Sequence, residues 1–182
     1  VELLPGGGWY TSLWAPVLRD RGELFVAVGT GRIEQKLLKE PGFEKVAVLA
    51  QDTKIERGED GYTMGSLDLG VKRADLVLTF RNLHNFDSDS RKVMNDAAFT
   101  ALKRGGMYGV VDHTRRHMQK GDSENGRRMD PVLAIKEIQE SGFELVDFSD
   151  LHYRLDDELR YEVGRRSVSG NTDRFTLLFK NQ

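Results

Sequence analysis

Residues 1–10 read Val1-Glu2-Leu3-Leu4-Pro5-Gly6-Gly7-Gly8-Trp9-Tyr10, an order typical of a buried strand that passes through a glycine turn into a helix. Glycine has no Cβ and tolerates positive φ, so such a turn lets a ligand approach the backbone closely. The free N–H groups at the start of the next helix favour polar or anionic parts of a ligand. We therefore expect this stretch to organise the fold and to border a binding pocket.

Strand and helix patterns alternate along most of the chain. Apolar runs typical of strands buried on both faces follow at 24–28, 46–50, 74–80 and 107–111. Helical patterns fall at 9–20, 33–38, 88–102 and 130–142. Two more strands, 143–148 and 174–179, have no helical pattern between them. This order predicts an α/β fold: a Rossmann-like, doubly wound, mostly parallel seven-stranded sheet with a C-terminal antiparallel hairpin.

The predicted helix ends and loops add detail to this outline. Ser88 or Ser90 is expected to cap the third helix, and Asp130-Pro131 is a typical start for the fourth. In the first helix, Trp9 belongs to a row of apolar residues, so core packing is its expected role. Residues 51–72 and 151–171 are predicted to be mostly loop, and 114–129 a surface lid or a disordered segment.

Three polar segments are expected to meet at one edge of this sheet. They are the glycine turn, residues 81–85 after the strand 74–80, and residues 112–116 after the strand 107–111. Ligands of open α/β sheets bind beyond the carboxyl ends of the strands, where these three segments lie. The sequence therefore predicts one crevice bordered by all three.

Composition excludes several classes of protein. The formal net charge is −2, too small to give a strong bulk attraction for nucleic acid or anionic lipid. The chain has no cysteine, which excludes disulfides, thiolate nucleophiles and cysteine metal sites. No apolar run approaches the roughly 18 residues that span a bilayer. We therefore expect neither nucleic acid nor a membrane span, and the length fits a single domain, residues 1–182.

At several points the chain resembles the class I S-adenosylmethionine-dependent methyltransferases. Residues 2–8 are similar to the family's first motif, an acidic residue followed by spaced glycines. Residues 74–80 resemble its fourth strand, and 102–106 resemble its Leu-Lys-Pro-Gly-Gly turn. The strings Pro-Gly-Gly-Gly-Trp-Tyr-Thr, Phe-Arg-Asn-Leu-His-Asn and Val-Val-Asp-His, in this order, are more narrowly similar to a bacterial group of uncharacterised predicted methyltransferases, often exported.

Two positions depart from the family's pattern. Leu4 stands where the first glycine of the motif is expected. Gly29 stands at the end of the second strand, where the family has an acidic residue that binds the ribose hydroxyls.

The resemblance implies S-adenosylmethionine as cofactor and a small-molecule methyl acceptor as partner. It also implies a set of cofactor-binding residues around the glycine turn and the neighbouring strand ends. They are Glu2, Gly6, Gly7, Gly8, Tyr10, Gly29, Asp68, Arg81 and Asn82. Within this set, Tyr10 is expected to face the sulfonium, since aromatic faces attract cations, and Asp68 to reach the adenine or ribose.

His84, Asp112 and His113 are the candidate catalytic residues. The unperturbed pKa of histidine, about 6.5, suits a general base near neutral pH. Asp112 next to His113 suggests a carboxylate that orients a histidine, although neighbours on a strand point to opposite faces. No His-x-x-x-His spacing lies within a predicted helix, so no metal site is expected.

The expected function is methyl transfer from S-adenosylmethionine to a small molecule, and two alternatives stay open. The first is an NADP-dependent oxidoreductase, in which Arg32 would meet the 2′-phosphate, although Thr11 stands where a third glycine or alanine belongs. The second is a non-catalytic binding protein on a degenerate methyltransferase scaffold, as Leu4 and Gly29 suggest. The domain is expected to lack its N-terminal segment; an export signal there would make the protein periplasmic, and otherwise it would be cytoplasmic.

Overall fold

The computed structural model describes the whole chain, Val1–Gln182. Its strands are β1 (Glu2–Leu3), β2 (Leu24–Ala27), β3 (Val46–Leu49), β4 (Ile55–Arg57), β5 (Tyr62–Met64), β6 (Ala74–Phe80), β7 (Leu102–His113), β8 (Phe143–Ser149) and β9 (Arg174–Asn181). Its α-helices are α1 (Trp9–Leu18), α2 (Gly31–Gln35), α3 (Ser88–Ala101) and α4 (Pro131–Glu140), and two short 3-10 turns occupy Leu37–Lys39 and Leu83–Asn85.

Seven strands form the main sheet in the order β3-β2-β1-β6-β7-β9-β8. The neighbouring strands β3, β2, β1, β6 and β7 are parallel to one another, whereas β9 is antiparallel to both β7 and β8. The carboxyl ends of β1, β6 and β7 therefore lie at the same edge of the sheet, next to the start of β9. The predicted fold class is confirmed in both its parallel part and its C-terminal antiparallel hairpin.

The core lies mainly between the sheet and the helices α3 and α4. Val77 and Tyr108 point to this face, where Met94 and Ala98 of α3 are fully buried. The hydroxyl of Tyr108 donates to Oδ1 of Asn95, 3.2 Å away, which ties α3 to the middle of the sheet. This packing holds β6 and β7 in place, and both strands end at the candidate site.

Helix ends follow the local chemistry of capping. Asp130 caps α4, accepting a hydrogen bond from the amide of Val132 at 2.9 Å, as its sequence predicts. The cap of α3 is Asp87, whose carboxylate accepts from the amide of Ser90, so the prediction of a serine cap was wrong. Ser90 instead donates its amide to that cap, while its hydroxyl accepts from the amide of Met64.

Helix α1 lies on the opposite face of the sheet and does not bury its longest apolar row. Trp9, Leu13 and Val17 are exposed, and the buried residues of α1 are Thr11 and Ala15. The expectation that Trp9 packs in the core was therefore wrong. The small side chains of Thr11 and Ala15 let α1 approach the sheet, which turns the bulky row outward.

Two further differences concern strand boundaries. The segment predicted to be mostly loop contains a two-stranded hairpin, β4–β5, which forms its own small sheet and is bridged to Phe86 through Tyr62. Strand β7 begins at Leu102, directly after α3, rather than at Met107. No helix of the protein combines the length and the apolar character needed to cross a bilayer.

Candidate active site

A cavity of about 280 Å³ opens at the carboxyl ends of β1, β6 and β7. Its wall comes from the glycine turn, the loop after β6, the end of β7 and two residues of the long loops. The lining residues are Glu2, Leu4, Pro5, Gly6, Gly7, Trp9, Tyr10, Phe80, Arg81, Asn82, His84, Asn85, His113, Arg127 and Val163. The cavity thus joins the three polar segments that the sequence places at this edge.

The backbone is strained where three neighbouring strands end. The first residues after β1, β2 and β6 are Leu4, Val28 and Arg81, with φ values of 53°, 66° and 60°. Positive φ is uncommon outside glycine and costs most for a β-branched residue such as Val28. Strain of this kind collects at ligand sites when the surrounding structure holds it in place.

Gly6 and Gly7 present bare backbone to the cavity. A Cβ placed on either residue would meet no atom within 4 Å, and Gly6 has φ of +58°. Gly8 has a different role, because it caps α1 with φ of +81° and a Cβ there would lie 2.3 Å from Cδ2 of Leu37. Gly6 and Gly7 therefore leave room for a ligand, while Gly8 lets α1 pack closely.

Glu2 supports the turn from within the sheet. Its side chain is almost fully buried and accepts a hydrogen bond from the hydroxyl of Thr11 at 2.7 Å. Burial raises the pKa of the Glu2 carboxyl, which the Thr11 hydrogen bond partly offsets. This contact joins the end of β1 to the first turn of α1.

Asn82 uses its amide group to hold the backbone of the same turn. Its Nδ2 donates to the carbonyl oxygens of Leu3 and Leu4, both at 3.3 Å, and contacts Oγ1 of Thr79 at 3.1 Å. The N–H groups of Asn82 are therefore committed to the protein. Its Oδ1 is the atom that stays available to a ligand in the cavity.

His84 and Asp112 form a buried pair. Nδ1 of His84 lies 2.5 Å from Oδ1 of Asp112, and the amide of His84 donates to Oδ2 at 3.0 Å. Both side chains are at most 4% exposed. The carboxylate fixes the imidazole in one orientation, and with Nδ1 engaged, Nε2 is the nitrogen left to act on a ligand.

His113 does not pair with Asp112 through its ring. Its Nδ1 lies 2.8 Å from the hydroxyl of Thr172, and only its backbone amide donates to Asp112. Burial lowers the pKa of His113 to about 3, with further lowering from the charges of His84, Arg174 and Arg81, although Asp112 opposes them. His113 is therefore a neutral, fixed wall of the cavity at neutral pH.

Tyr10 and Phe80 form an aromatic wall. Their rings are stacked, with centroids 3.6 Å apart and planes 9° from parallel. The guanidinium of Arg81 lies 5.9 Å from the centroid of the Tyr10 ring, within the range of a cation–π contact. Tyr10 thus borders the cavity, as the sequence predicts.

Several predicted site residues lie outside the cavity wall. Asp112 lies behind His84, Gly8 packs between helices, and Gly29 is exposed beyond Leu4. Cδ2 of Leu4 lies 3.6 Å from the position that a Cβ of Gly29 would take. Asp68 is exposed and accepts from the amide of Gly70 in its own turn. The structure does not bring Gly8, Gly29 or Asp68 into contact with the cavity.

Two long loops close the outer side of the cavity. Arg127 and Val163 reach its wall from the segments 114–129 and 151–173. The loops are joined by a fully buried ion pair in which both terminal nitrogens of Arg128 contact the carboxylate of Asp157, at 2.9 and 3.0 Å. The segment predicted to be a lid or disordered is therefore an ordered wall.

Sequence reasoning missed Thr11, Thr172 and Val163. Thr11 was considered only because it stands where a dinucleotide-binding motif has its third glycine or alanine. Thr172 and Val163 lie in segments that show neither a helical nor a strand pattern. The signal for Thr172 is its place just before β9, since the start of an antiparallel strand meets the end of its neighbour β7. The structure forms no group of three or more metal-ligating side chains.

No protein family model matches the chain, and no curated protein is similar enough to it in sequence to count as a match. Solved structures do match it. A SAM-dependent methyltransferase from Aquifex aeolicus is 11% identical, with a TM-score of 0.63 over 100% of this chain and 80% of that one. The methyltransferase CcbJ from Streptomyces caelestis is 15% identical, with a TM-score of 0.63 over 99% and 82%.

A third match is LepI, solved in complex with SAM, at 9% identity and a TM-score of 0.64. This chain is covered completely and spans 42% of the length of LepI. Identities this low bear on fold and not on activity. The architecture and the comparisons together establish that the chain has the class I, Rossmann-like fold of the SAM-dependent methyltransferases.

Proposed function

We propose that the protein transfers a methyl group from S-adenosylmethionine to a small-molecule acceptor. The observation that carries this proposal is His84, which lines the same cavity as the open glycines Gly6 and Gly7 and is held by Asp112 behind it. A base fixed by a buried carboxylate, close to a backbone turn that can admit a ligand, suits a proton-coupled transfer.

The residues on the β1 side of the cavity fit the donor in part. Gly6 and Gly7 offer unobstructed backbone, and the Tyr10 ring offers an aromatic face suited to a sulfonium. Oδ1 of Asn82 supplies an acceptor for an amino group. The end of β2 offers no acidic residue for the ribose, because Gly29 stands there.

The chemistry assigned to the protein is alignment and proton removal. S-adenosylmethionine, when bound, supplies an electrophilic methyl group whose transfer leaves a neutral thioether. The cavity holds the acceptor in line with that group, which is where most of the rate enhancement arises. Nε2 of His84 takes the proton from the acceptor, and Asp112 stabilises the imidazolium that forms.

The comparisons support the proposal without deciding the reaction. The Aquifex aeolicus and CcbJ structures are described as methyltransferases, but SpnF, a match at 14% identity, is described as a [4+2]-cyclase. The same fold thus serves more than one reaction among the matched proteins. The argument for methyl transfer therefore depends on the residues of this cavity.

The same proposal includes the domain assignment, the narrower bacterial group and the compartment. Residues 1–182 form one methyltransferase-like domain, and the three strings that end in Trp9-Tyr10-Thr11, His84-Asn85 and Asp112-His113 support membership of the bacterial group named above. Members of that group are often exported, which would make the protein periplasmic if it carries a signal.

The test has two stages. Calorimetry first measures binding of S-adenosylhomocysteine, the demethylated product of the donor, to the protein. Transfer of a labelled methyl group is then followed across a set of phenols, catechols and carboxylic acids. We expect His84→Ala to bind the product with unchanged affinity and to lose transfer, whereas His117→Ala, altered outside the cavity, keeps both. Absence of product binding to the unaltered protein would rule the proposal out.

A non-catalytic binding protein is the second candidate, and one observation favours it. The side chain of Leu4 lies over Gly29, and Gly29 does not border the cavity, so the space for a ribose is reduced. If this candidate holds, Leu4→Gly will increase the affinity for S-adenosylhomocysteine at least tenfold without producing transfer. Methyl transfer by the unaltered protein would exclude it.

A further inference from the structure

Arg81, which lines the cavity, and Arg174, which pairs in register with the lining residue His113, are two arginines that form no ion pair. Arg81 follows β6 and is exposed at the cavity wall. Arg174 opens β9 and pairs in register with His113, so both side chains point to the same face of the sheet. The two arginines therefore lie on either side of β7, the strand that ends at His113.

Neither guanidinium forms an ion pair or donates a hydrogen bond. Nε of Arg174 is buried and has no partner. Arg91 and Arg128, two other arginines with little exposure, are paired with Glu137 and Asp157, whereas Nε of Arg115 is buried without a partner, as in Arg174. A buried arginine nitrogen without an acceptor is costly, and its presence next to His113, which lines the cavity, needs a physical reason.

Asp112, next to His113 on β7, forms no hydrogen bond with either arginine. Both oxygens of Asp112 already accept hydrogen bonds from His84 and from the amide of His113. Burial lowers the pKa of Arg174 and the charges of Arg81 and Arg154 lower it further, while Tyr10 and Asp112 oppose them. An anion bound between the two guanidinium groups would supply the counter-charge that neither of them has.

We propose that Arg81 and Arg174 bind the anionic group of the methyl acceptor, which is therefore a small molecule carrying a carboxylate or a phosphate. Guanidinium groups bind both anions through paired hydrogen bonds. This inference deepens the proposed function and rests on it only in identifying the bound molecule as the methyl acceptor. The anion site itself does not depend on methyl transfer.

The position of Arg174 separates this site from the donor. Strand β9 lies three strand spacings from β1, about 14 Å, with the ends of β6 and β7 between them. The glycine turn lies at the β1 end of this span, and His84, which follows β6, lies between the glycine turn and Arg174. An acceptor held at Arg174 would therefore present its reacting atom towards His84 from the side opposite to the donor.

The experiment uses benzoate, phenyl phosphate and inorganic phosphate as probes on the protein without donor. Calorimetry and thermal melting are recorded for the unaltered protein, Arg81→Gln, Arg174→Gln and the control Arg166→Gln, an exposed arginine far along the outer loop. We expect at least one aromatic probe to bind and to raise the Tm, each site variant to weaken it at least tenfold, and the control to behave as the unaltered protein. Benzoate and phenyl phosphate distinguish a carboxylate from a phosphate acceptor.

Three outcomes would overturn the inference. They are failure of all three probes to bind, equal stabilisation of the unaltered protein and of Arg174→Gln, and a tenfold loss of S-adenosylhomocysteine affinity in Arg174→Gln, which would assign the arginines to the donor. Without probe, Arg174→Gln should melt no lower than the unaltered protein, because an unpaired charge is removed; a lower Tm would mean that Arg174 has a structural role. Probe binding without S-adenosylhomocysteine binding would keep the anion site and reject the methyl-transfer proposal.

Discussion

Nδ1 of His84 lies 2.5 Å from Oδ1 of Asp112, although the two residues are 28 positions apart and come from different strand ends. The pairing needs β6 and β7 side by side, with the loop after β6 folded back over the end of β7. The backbone amide of His84 donates to the same carboxylate, so one buried aspartate fixes both the ring and the loop.

This relationship predicts the tautomer of His84. Asp112 accepts the proton on Nδ1, which leaves Nε2 unprotonated in the neutral ring. Imidazole ¹⁵N NMR above pH 7 should show one tautomer in the unaltered protein and a mixture in Asp112→Asn. With an acceptor in hand, the same variant should transfer methyl about 10² to 10⁴ times more slowly. Identical imidazole spectra in the two proteins would contradict the assignment.

The state of His113 predicts an acid-dependent loss of stability. Its pKa is lowered to about 3 in the folded protein, mainly by burial, whereas the unfolded chain binds the proton near 6.5. Below pH 6.5 the unfolded state therefore holds more protons, and the free energy of unfolding falls as the pH falls towards 3. Urea titrations should show a shallower decrease in His113→Asn, which keeps a polar group for Thr172. An equally steep decrease would show that other groups dominate.

The buried pair of Arg128 and Asp157 should be essential for the outer wall of the cavity. Removing one partner leaves the other charge buried and unpaired, which costs about 3–5 kcal/mol. Arg128→Met should therefore lower the free energy of unfolding by that amount, and hydrogen exchange should accelerate in residues 151–173. Arg166→Met, an exposed arginine of the same region, serves as the control and should change stability little.

The glycine turn offers a matched pair of substitutions. Gly8 has φ of +81° and no space for a Cβ, whereas Gly7 has open space around its Cα and no positive φ. Gly8→Ala should cost roughly 1–3 kcal/mol from backbone strain and the contact with Leu37. Gly7→Ala should leave the melting temperature nearly unchanged. Equal effects of the two substitutions would contradict the different roles assigned to these glycines.

Much of the fold follows from local patterns in the sequence. The long buried strand β6 and the capped helix α4 are each marked by residues that act within their own segment, an apolar run in one and Asp130-Pro131 in the other. The hairpin β4–β5 has no such local pattern. Ile55 on β4 and Tyr62 on β5 are exposed at the surface, so the two strands lack the buried apolar run by which a strand is identified. Trp9 was misplaced because periodicity identifies an apolar row without showing which row meets the sheet.

The candidate site was predictable in place but not in its contacts. Strand topology brings the glycine turn, His84 and His113 to one edge, which the order of elements already implies. The partner of Asp112 was not predictable, because its neighbour His113 points away and the true partner comes from another loop. Arg127 and Val163 reach the cavity, and Thr172 reaches His113, from irregular loops that are joined by the buried Arg128–Asp157 pair.

The central claim is that the open glycine turn and the cavity before it hold S-adenosylmethionine. Calorimetry of S-adenosylhomocysteine binding to the unaltered protein and to Gly7→Val tests it most directly, with Gly7→Ala as the folding control. We predict one molecule bound per chain, with the affinity reduced at least tenfold by the valine, whose side chain enters space that is open in the structure. Equal affinity for the unaltered protein and Gly7→Val, or no binding to either, would contradict the account.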